Sequence, residues 1–406
     1  MSAKKKTKKW IRPRHQVVRA LLGWFFRVWS SLRYGVKIES FPQQRKQPHV
    51  ILLNHQTPFD QFFVGLACPK PVYFLATEDI FSLGWLSAAL RWLVAPIPIK
   101  KQTTDAGAVM TCIRVAREGG TICIAPEGNR TYSGRTEYMN PAIAGLVQKL
   151  RMPVALFRIE GGYGAEPRWS DKSRKGKMRA YVSEVIPAEE VAAMTRDELA
   201  QRVAKGLYVD EAVADATFRS KKRAEYIERM AYVCPFCGLS EFHSQGNITT
   251  CKKCGRQIEY CEDKTLRGVE FDFPFPFAAQ WYDYQKDFIN GLDVTKLTDQ
   301  PLYQERADVF DVLLYKKKQL FRSNVEITLY GDRLVLDQGT ENALILPMAE
   351  ITAAAVLGRN KLNVYHGDKV YQFKGDERFN ALKYVHIYHR YRNISRGEEN
   401  DQFLGL

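Results

Sequence analysis

The chain has 406 residues, of which 45% are hydrophobic and 26% are charged, with a net charge of +15 and a mean hydropathy of −0.33. At about 150 residues per domain this length predicts two or three domains. The composition excludes a collagen-like, a fully disordered or a polytopic membrane protein. The basic charge is concentrated at one end, because residues 1–50 contain 13 Lys and Arg but only one acid, Glu39.

Residues 1–48 are predicted to form a basic arm and an amphipathic helix. Pro13 suits the first turn of a helix that extends to about Arg33. Seven residues fall in one narrow, mostly polar stripe of this helix: His15, Gln16, Arg19, Gly23, Arg27, Ser30 and Arg33. Phe26 is the main apolar exception within the stripe. The rest of the helix is a wide apolar face rich in Trp and Phe.

The basic residues interrupt this helix too often for it to span a bilayer, which needs about 20 mostly apolar residues. The helix is therefore predicted to lie in the interface of a membrane that contains anionic phospholipids. The protein would then be peripheral or monotopic, on the cytoplasmic face of the membrane. Two alternatives are a helix docked on the protein's own core and a nucleic-acid-binding arm. The Trp and Phe residues of the helix weigh against nucleic acid as a partner, because such an arm would not use them.

Residues 49–190 alternate between short apolar runs and helical stretches. Strands are predicted at Val50–Leu53, Val72–Leu75, Thr121–Ala125, Pro153–Ile159 and Met178–Val185, with helices at Asp105–Glu118 and Pro141–Leu150. This alternation predicts an α/β domain with a mostly parallel sheet flanked by helices.

The first of two motifs in this domain follows the first of these strands. His55 stands at the end of the strand, and Asp60 lies five residues later at a predicted helix start. Such a pair suits general-base catalysis, because the imidazole can take a proton from a hydroxyl while the carboxylate fixes its tautomer. Taken alone, a His and an Asp at this spacing are a weak signal.

The second motif is a Pro-Glu-Gly-x-Arg loop after the strand Thr121–Ala125. Gly128 permits close approach of the backbone, and the planar guanidinium of Arg130 matches phosphate oxygens. Glu127 can orient Arg130 or accept a hydrogen bond from a hydroxyl. Considered without the first motif, the loop also fits a surface turn with a solvated ion pair.

Together, the Asn-His-x4-Asp motif at Asn54–Asp60 and the Pro-Glu-Gly-x-Arg motif at Pro126–Arg130 resemble those of the glycerolipid acyltransferase family, of the 1-acylglycerol-3-phosphate O-acyltransferase type. The resemblance covers about residues 15–190. It implies that His55 is the base and Asp60 its partner. It also implies that Glu127, Gly128, Arg130 and the basic Lys100 bind the acceptor. Ala125 and Lys100 depart from the usual Phe and Arg of the family, which leaves the acceptor less well defined than the reaction.

The resemblance implies an enzyme of phospholipid biosynthesis that moves an acyl group from acyl-CoA or acyl carrier protein to a lysophospholipid hydroxyl, without a catalytic cofactor. The expected acceptor is 1-acylglycerol-3-phosphate. The alternative function is an inactive lipid- or membrane-binding adaptor that uses the same fold. The intact His55 and Asp60 favour the enzyme.

Residues 231–262 contain two Cys-x-x-Cys pairs, each followed by glycine. Cys234 and Cys237 are separated by 13 residues from Cys251 and Cys254. This spacing resembles a zinc ribbon and predicts a structural zinc ion held by four thiolates, with Cys261 and His243 outside the site. A ribbon with few basic residues favours a structural or protein-docking role over nucleic-acid binding. The cysteine usage and the lack of a recognisable secretory signal favour a reducing compartment.

The remaining segments are predicted from their composition. Residues 191–230 are expected to form a helical extension of the helix that starts near residue 188. Residues 300–395 are expected to form a small β-rich domain, similar in shape to pleckstrin-type domains, closed by a helix at about Glu377–Arg392. Its strands are predicted at Val325–Leu336, Ala343–Leu346, Leu362–Tyr365 and Lys369–Phe373.

Overall fold

The structure, a computed structural model, describes residues 9–77, 80–81, 84–99, 105–312 and 318–397. The described residues fold as two compact units that are each discontinuous in sequence. The first unit extends to Glu127 and adds residues 139–160 and 178–209, and the second consists of residues 128–138, 161–177 and 210 onwards. The domain boundaries predicted from the sequence stay predictions.

The first unit contains a sheet with helices on its faces. Its strands are β1 (Val36–Ile38), β2 (Val50–Leu53), β3 (Val72–Thr77), β4 (Ile97–Ile99), β5 (Thr121–Ile124), β6 (Val154–Glu160) and β7 (Met178–Ile186). Its helices are α1 (Pro13–Tyr34), α2 (Asp60–Ala67), α3 (Trp85–Leu93), α4 (Ala106–Arg117), α5 (Ala142–Leu150), α7 (Ala188–Ala193) and α8 (Arg196–Leu207).

The seven strands lie in the order β1-β7-β6-β2-β5-β3-β4. Every neighbouring pair is parallel except β6 and β7, which are antiparallel. β2 lies between β5 and β6, and all four of its residues are buried because both faces of the sheet are covered. Continuous apolar strands of this kind are typical of parallel sheets with helices on both faces. The predicted α/β class with a mostly parallel sheet is confirmed.

The core of this unit packs one face of the sheet against α4, α5 and α8. It contains apolar side chains from β2, β5 and β6, such as Val50, Ile122 and Leu156, together with Val115, Val147 and Val203 from the helices. The helices begin where the sequence provides caps. Asp105 accepts a hydrogen bond from Ala108 N (3.0 Å), and Thr195 and Glu198 form a capping box at the start of α8.

Helix α1 lies on the first unit through its polar stripe rather than its apolar face. Arg19 Nε donates to Cys68 O (2.8 Å) and Arg27 Nη2 donates to Leu66 O (3.2 Å). Both carbonyls lie at the C-terminal end of α2, where unpaired oxygens and the helix dipole attract cations. Phe26, the apolar exception in the stripe, stacks on Phe62 of α2 with ring centroids 4.1 Å apart. The polar stripe of α1 therefore packs against α2 of the same chain.

The wide apolar face of α1 is exposed, as is that of the neighbouring helix α3. The exposed apolar side chains of the two helices are Val17, Leu21, Leu22, Trp24, Phe25, Val28, Leu32, Trp85, Leu86 and Trp92. Arg14 joins the helices by donating from Nε to Trp92 O (2.8 Å). Within the described ranges, no helix combines the length and the apolar character needed to cross a bilayer.

The second unit contains the cysteine module and the C-terminal strands. Its strands are β8 (Val233–Cys234), β9 (Gly238–Leu239), β10 (Phe242–Gln245), β11 (Ile248–Cys251), β12 (Gln257–Tyr260), β13 (Leu266–Gly268), β14 (Tyr303–Asp311), β15 (Gln319–Leu329), β16 (Arg333–Leu336), β17 (Leu344–Pro347), β18 (Ile351–Leu357), β19 (Lys361–His366) and β20 (Lys369–Gly375). Its helices are α6 (Gly162–Ala165), α9 (Ala278–Asn290) and α10 (Ala381–Arg396).

Strands β14–β20 form one antiparallel sheet, called here the C-terminal sheet, in the order β17-β16-β15-β14-β20-β19-β18. Helix α10 contacts β18 and β19 and contributes Leu382, Val385 and Ile387 to the core. The predicted β-rich domain with a C-terminal helix is confirmed. The same core includes Tyr132, Tyr163 and Trp169, which come from the two short segments 128–138 and 161–177.

One sequence prediction of secondary structure is wrong in part, and two strands of the C-terminal sheet were missed. Helix was expected from 188 to 230, but α8 ends at Leu207, and residues 208–226 are irregular. The backbone there pairs with distant segments instead, since Phe218 N donates to Glu262 O (2.7 Å) and Arg219 N donates to Lys175 O (3.1 Å). Strands β14 and β18 were not predicted. β18 contains three consecutive alanines, which have a low strand propensity.

Candidate active site

The candidate site lies where β2 ends, in the first unit. Asn54 directly follows β2 and is completely buried. Its side-chain amide donates to Ile159 O (2.8 Å) and accepts from Ile159 N (2.7 Å), so it continues the pairing of β2 with β6 by one further residue. Sequence reasoning gave Asn54 no role beyond the motif. The available signal was an amide side chain directly after a strand of four buried residues.

His55 comes next and contacts Asp60 at the start of α2. His55 Nδ1 lies 2.8 Å from Asp60 Oδ2, and the His55 side chain is 26% exposed while that of Asp60 is 1% exposed. An ionised carboxylate only accepts hydrogen bonds, so Nδ1 is the donor. In the neutral ring, Nε2 then has the free lone pair, which is the arrangement a general base requires.

The Asp60 carboxylate also fixes the turn between β2 and α2. It accepts hydrogen bonds from Gln56 N (2.7 Å), Thr57 N (2.9 Å) and Thr57 Oγ1 (2.6 Å). A buried carboxylate is tolerated when hydrogen bonds satisfy it, and the N-terminus of α2 also favours its negative charge. The same group thus shapes the backbone around His55 and orients its ring.

Glu127 is brought to the same place from the end of β5. Its Oε1 accepts a hydrogen bond from His55 N (2.7 Å), and its side chain is buried. The sequence suggested that Glu127 orients Arg130 or bonds the acceptor hydroxyl. The observed contact adds a third role, which is to hold the His55 backbone. The structure therefore brings together His55, Asp60 and Glu127.

Gly128 and Arg130 directly follow Glu127 in the chain and belong to the second unit. Gly128 has a φ of 71°, which an L-amino acid with a side chain rarely adopts, so the loop depends on glycine there. Arg130 is buried. Its backbone carbonyl accepts a hydrogen bond from Arg168 Nη1 (2.8 Å). Lys100, the remaining predicted acceptor contact, lies outside the described residues.

The four cysteines of the module come together within the second unit. Their Sγ atoms all lie within 4.8 Å of one another, with Cys234 and Cys254 3.8 Å apart and Cys237 and Cys251 3.6 Å apart. Tetrahedral Zn–S bonds of about 2.3 Å would place sulfurs about 3.8 Å apart. Among the described residues, this is the group of His, Cys, Asp and Glu that can hold a metal ion. Cys261 and His243 are not part of it.

Glycine follows each Cys-x-x-Cys pair for a conformational reason. Gly238 and Gly255 both have positive φ angles, of 74° and 73°. The left-handed conformation turns each knuckle so that its two cysteines point to one centre, and a residue with a side chain would be strained there. The donor set and its spacing fit a four-thiolate metal site.

Comparison with known proteins finds similarity over less than half of the chain. Residues 35–159 match the protein family described as Acyltransferase. The 1-acyl-sn-glycerol-3-phosphate acyltransferase of Bacillus subtilis (strain 168) is 25% identical over 185 residues, covering 43% of this chain and 88% of that protein. The crystal structure of the 1-acyl-sn-glycerophosphate (LPA) acyltransferase PlsC from Thermotoga maritima is also similar, with a TM-score of 0.41 and 19% identity, covering 48% of this chain and 80% of that chain.

The hydrogen bonds of Asp60 predict a large effect of a small substitution. Asp60→Asn replaces one acceptor oxygen with an NH2 group that faces backbone donors, so we expect the free energy of unfolding to fall by about 3 kcal/mol. Urea denaturation measures the change. Asp105→Asn is the matched control, because Asn caps a helix about as well as Asp and should leave stability within about 0.5 kcal/mol. Equal stability of the two variants would contradict the assigned role of Asp60.

Proposed function

Because residues 35–159 match the Acyltransferase family, we propose that the chain is a glycerolipid acyltransferase. It transfers a fatty acyl group from an acyl thioester to a lysophospholipid hydroxyl. The donor is acyl-CoA or acyl carrier protein. The acceptor is 1-acylglycerol-3-phosphate, which gives phosphatidic acid. The observation that supports this most is the hydrogen bond between His55 Nδ1 and Asp60 inside the matched residues.

The proposed reaction is a direct transfer with His55 as the general base. Nε2 of His55 takes the proton of the acceptor hydroxyl as its oxygen attacks the thioester carbonyl. Asp60 stabilises the imidazolium that forms. The C–S bond then breaks, and the thiolate leaves with the proton from Nε2, which returns His55 to its starting state. No acyl-enzyme forms in this sequence.

The acceptor is proposed to bind at the second motif. The guanidinium of Arg130 pairs with the phosphate oxygens, for which its planar fork is suited. Gly128 allows the backbone to approach the phosphate closely. Glu127 holds the His55 backbone and contacts the glycerol. Lys100 adds a second positive charge for the phosphate.

The reaction site is proposed to work on a membrane surface, at its cytoplasmic face. The exposed apolar faces of α1 and α3 lie in the first unit together with His55. Trp24, Leu21 and Trp85 are 75%, 71% and 82% exposed. Large exposed apolar surfaces mark contacts with partners or membranes, and a lysophospholipid acceptor is presented in a membrane. The lysines of residues 1–9 would strengthen binding to anionic lipid.

The four-cysteine site is proposed to hold a structural zinc ion. Four thiolates leave no open coordination position, so the ion would stabilise the fold of residues 231–262 and take no part in acyl transfer. Exposed residues of the module are available to a protein partner.

The His55→Ala variant tests the proposed reaction. Purified protein is incubated with acyl-CoA and a panel of lysophospholipids, and products are detected by mass spectrometry. We expect phosphatidic acid from the wild type and a loss of about 10³-fold or more in the variant, because loss of the base leaves only binding and positioning. A variant as active as the wild type would contradict the role of His55.

The same experiment tests the alternative function. If the wild type transfers no acyl group to any acceptor from either donor but still binds vesicles, the chain is a lipid- or membrane-binding adaptor. His55→Gln is a second variant to compare with His55→Ala. It keeps a polar side chain of similar size but cannot accept and return a proton.

A charge placed on the apolar face of α1 should weaken membrane binding. For Trp24→Glu we expect partition onto vesicles that contain anionic phospholipid to fall about 10-fold, since burial of a large aromatic side chain contributes at least about 1.5 kcal/mol. Co-sedimentation with the vesicles measures it. The control is Ile345→Glu, which alters a residue in the second unit that is 55% exposed. Equal loss in both variants would indicate non-specific electrostatic repulsion.

Loss of one thiolate should remove the metal. Purified wild type is expected to contain about one zinc ion per chain, and Cys254→Ser to contain little and to unfold at a lower temperature, since structural zinc contributes directly to folding. Elemental analysis and thermal unfolding measure these changes. Cys261→Ser is the matched control and should keep its zinc. Zinc loss in the control, or its retention in Cys254→Ser, would contradict the assigned ligands.

A further inference from the structure

A turn of the C-terminal sheet is bound to two segments from the middle of the chain. The turn joins β18 to β19 through residues 358–360. The segments are 128–138, which begins with the second motif, and 161–177, which follows β6. All three belong to the second unit, so their contacts lie within one compact body.

Arg168 makes the central connection between them. Its side chain is 2% exposed. Towards the C-terminal sheet, Nε donates to Gly358 O (3.0 Å) and Nη2 donates to Val356 O (3.1 Å). Towards the second motif, Nη1 donates to Arg130 O (2.8 Å) and Nη2 donates to Asn129 Oδ1 (3.1 Å). One buried guanidinium thus joins two segments more than 200 positions apart in the chain.

Further contacts hold Arg168 and the turn in place. The Tyr132 ring lies under the Arg168 guanidinium, with the Arg168 Cζ 4.3 Å from the ring centroid. The Tyr132 hydroxyl donates to Arg359 O (3.2 Å). The Arg359 side chain pairs in turn with Asp171 (3.3 Å) and with the buried carboxylate of Glu166. Each of these charged side chains therefore has at least one partner within the network.

We propose that Arg168 is a positioning residue for acceptor binding. By fixing the Arg130 carbonyl and the Asn129 side chain to the β18–β19 turn, it sets the backbone from which the Arg130 guanidinium reaches the acceptor phosphate. The inference rests on the proposed function, in which Arg130 binds that phosphate. It makes the C-terminal sheet part of the acceptor-binding machinery rather than an independent appendage.

The physical reason is preorganisation of the loop. A loop that is already ordered loses less conformational entropy when it binds a ligand, so the acceptor binds more tightly. Arginine suits this task because its planar fork directs several N–H groups at fixed angles. A lysine ammonium at the same place keeps the charge but is a single point that cannot reach four acceptors on two sides.

Arg168→Lys in the full-length chain tests the proposal. With acyl-CoA as the donor, we expect the KM for 1-acylglycerol-3-phosphate to rise about 10-fold and kcat to change less than about threefold, because a displaced loop weakens acceptor binding and leaves His55 in place. Amide hydrogen exchange provides a second readout that needs no activity. Exchange at residues 128–131 should become about 10-fold faster, since the loop loses its anchor.

Arg174→Lys is the matched control. Arg174 is also buried, at 1% exposure, and lies in the same 161–177 segment. Its guanidinium stacks on Trp169 (5.0 Å) and Tyr260 (4.8 Å) and donates to the Arg223 carbonyl. Arg174→Lys, like Arg168→Lys, replaces a buried arginine, so the two variants should lose a similar amount of stability. We expect its acceptor KM and its exchange at residues 128–131 to match those of the wild type.

The outcomes separate this proposal from the proposed function. An unchanged acceptor KM in Arg168→Lys, or an equal rise in Arg174→Lys, overturns the positioning role of Arg168. If the wild type transfers no acyl group, the proposed function has failed. The exchange rates at residues 128–131 then decide alone whether Arg168 fixes the loop, and unchanged rates overturn that claim.

Discussion

The carboxylate of Asp60 is the constraint on which the first unit's candidate site depends. It accepts hydrogen bonds from three successive residues, His55, Gln56 and Thr57, so the turn, the imidazole and the start of α2 have one common anchor. The other end of α2 is anchored by α1, whose arginines bind its last carbonyls. The helix that presents an apolar face to the exterior is thereby connected, through α2, to the residue proposed as the base.

The second motif is fixed separately on each side of the bond between Glu127 and Gly128. Glu127 binds the His55 backbone in the first unit, while the next residues are bound by Arg168 in the second unit. The two sides of this short motif therefore have separate anchors, each within its own unit.

The sequence predicted most of the first unit because its signals are local. Buried apolar strands such as Val50–Leu53 and the helix predicted from Asp105 need no tertiary information, and the same is true of the Cys-x-x-Cys-Gly spacing in the second unit. The parts it missed depend on distant partners. The irregular path of residues 208–226 and the pairing of the alanine-rich β18 follow from backbone contacts with segments far along the chain, and tertiary context overrides local propensity there. Asn54 and Arg168 matter through partners that are 105 and 190 positions away along the chain, which composition cannot reveal.

The most direct test of this account is the position of the hydrogen on the His55 ring. The 15N resonances of the imidazole, recorded with 15N-histidine-labelled protein at a pH where the ring is neutral, can be assigned by comparison with the His55→Ala variant. The contact with Asp60 predicts a hydrogen on Nδ1 and an unprotonated Nε2. A neutral ring that has its hydrogen on Nε2 would contradict the account, because that tautomer cannot accept a proton from the acceptor hydroxyl at Nε2.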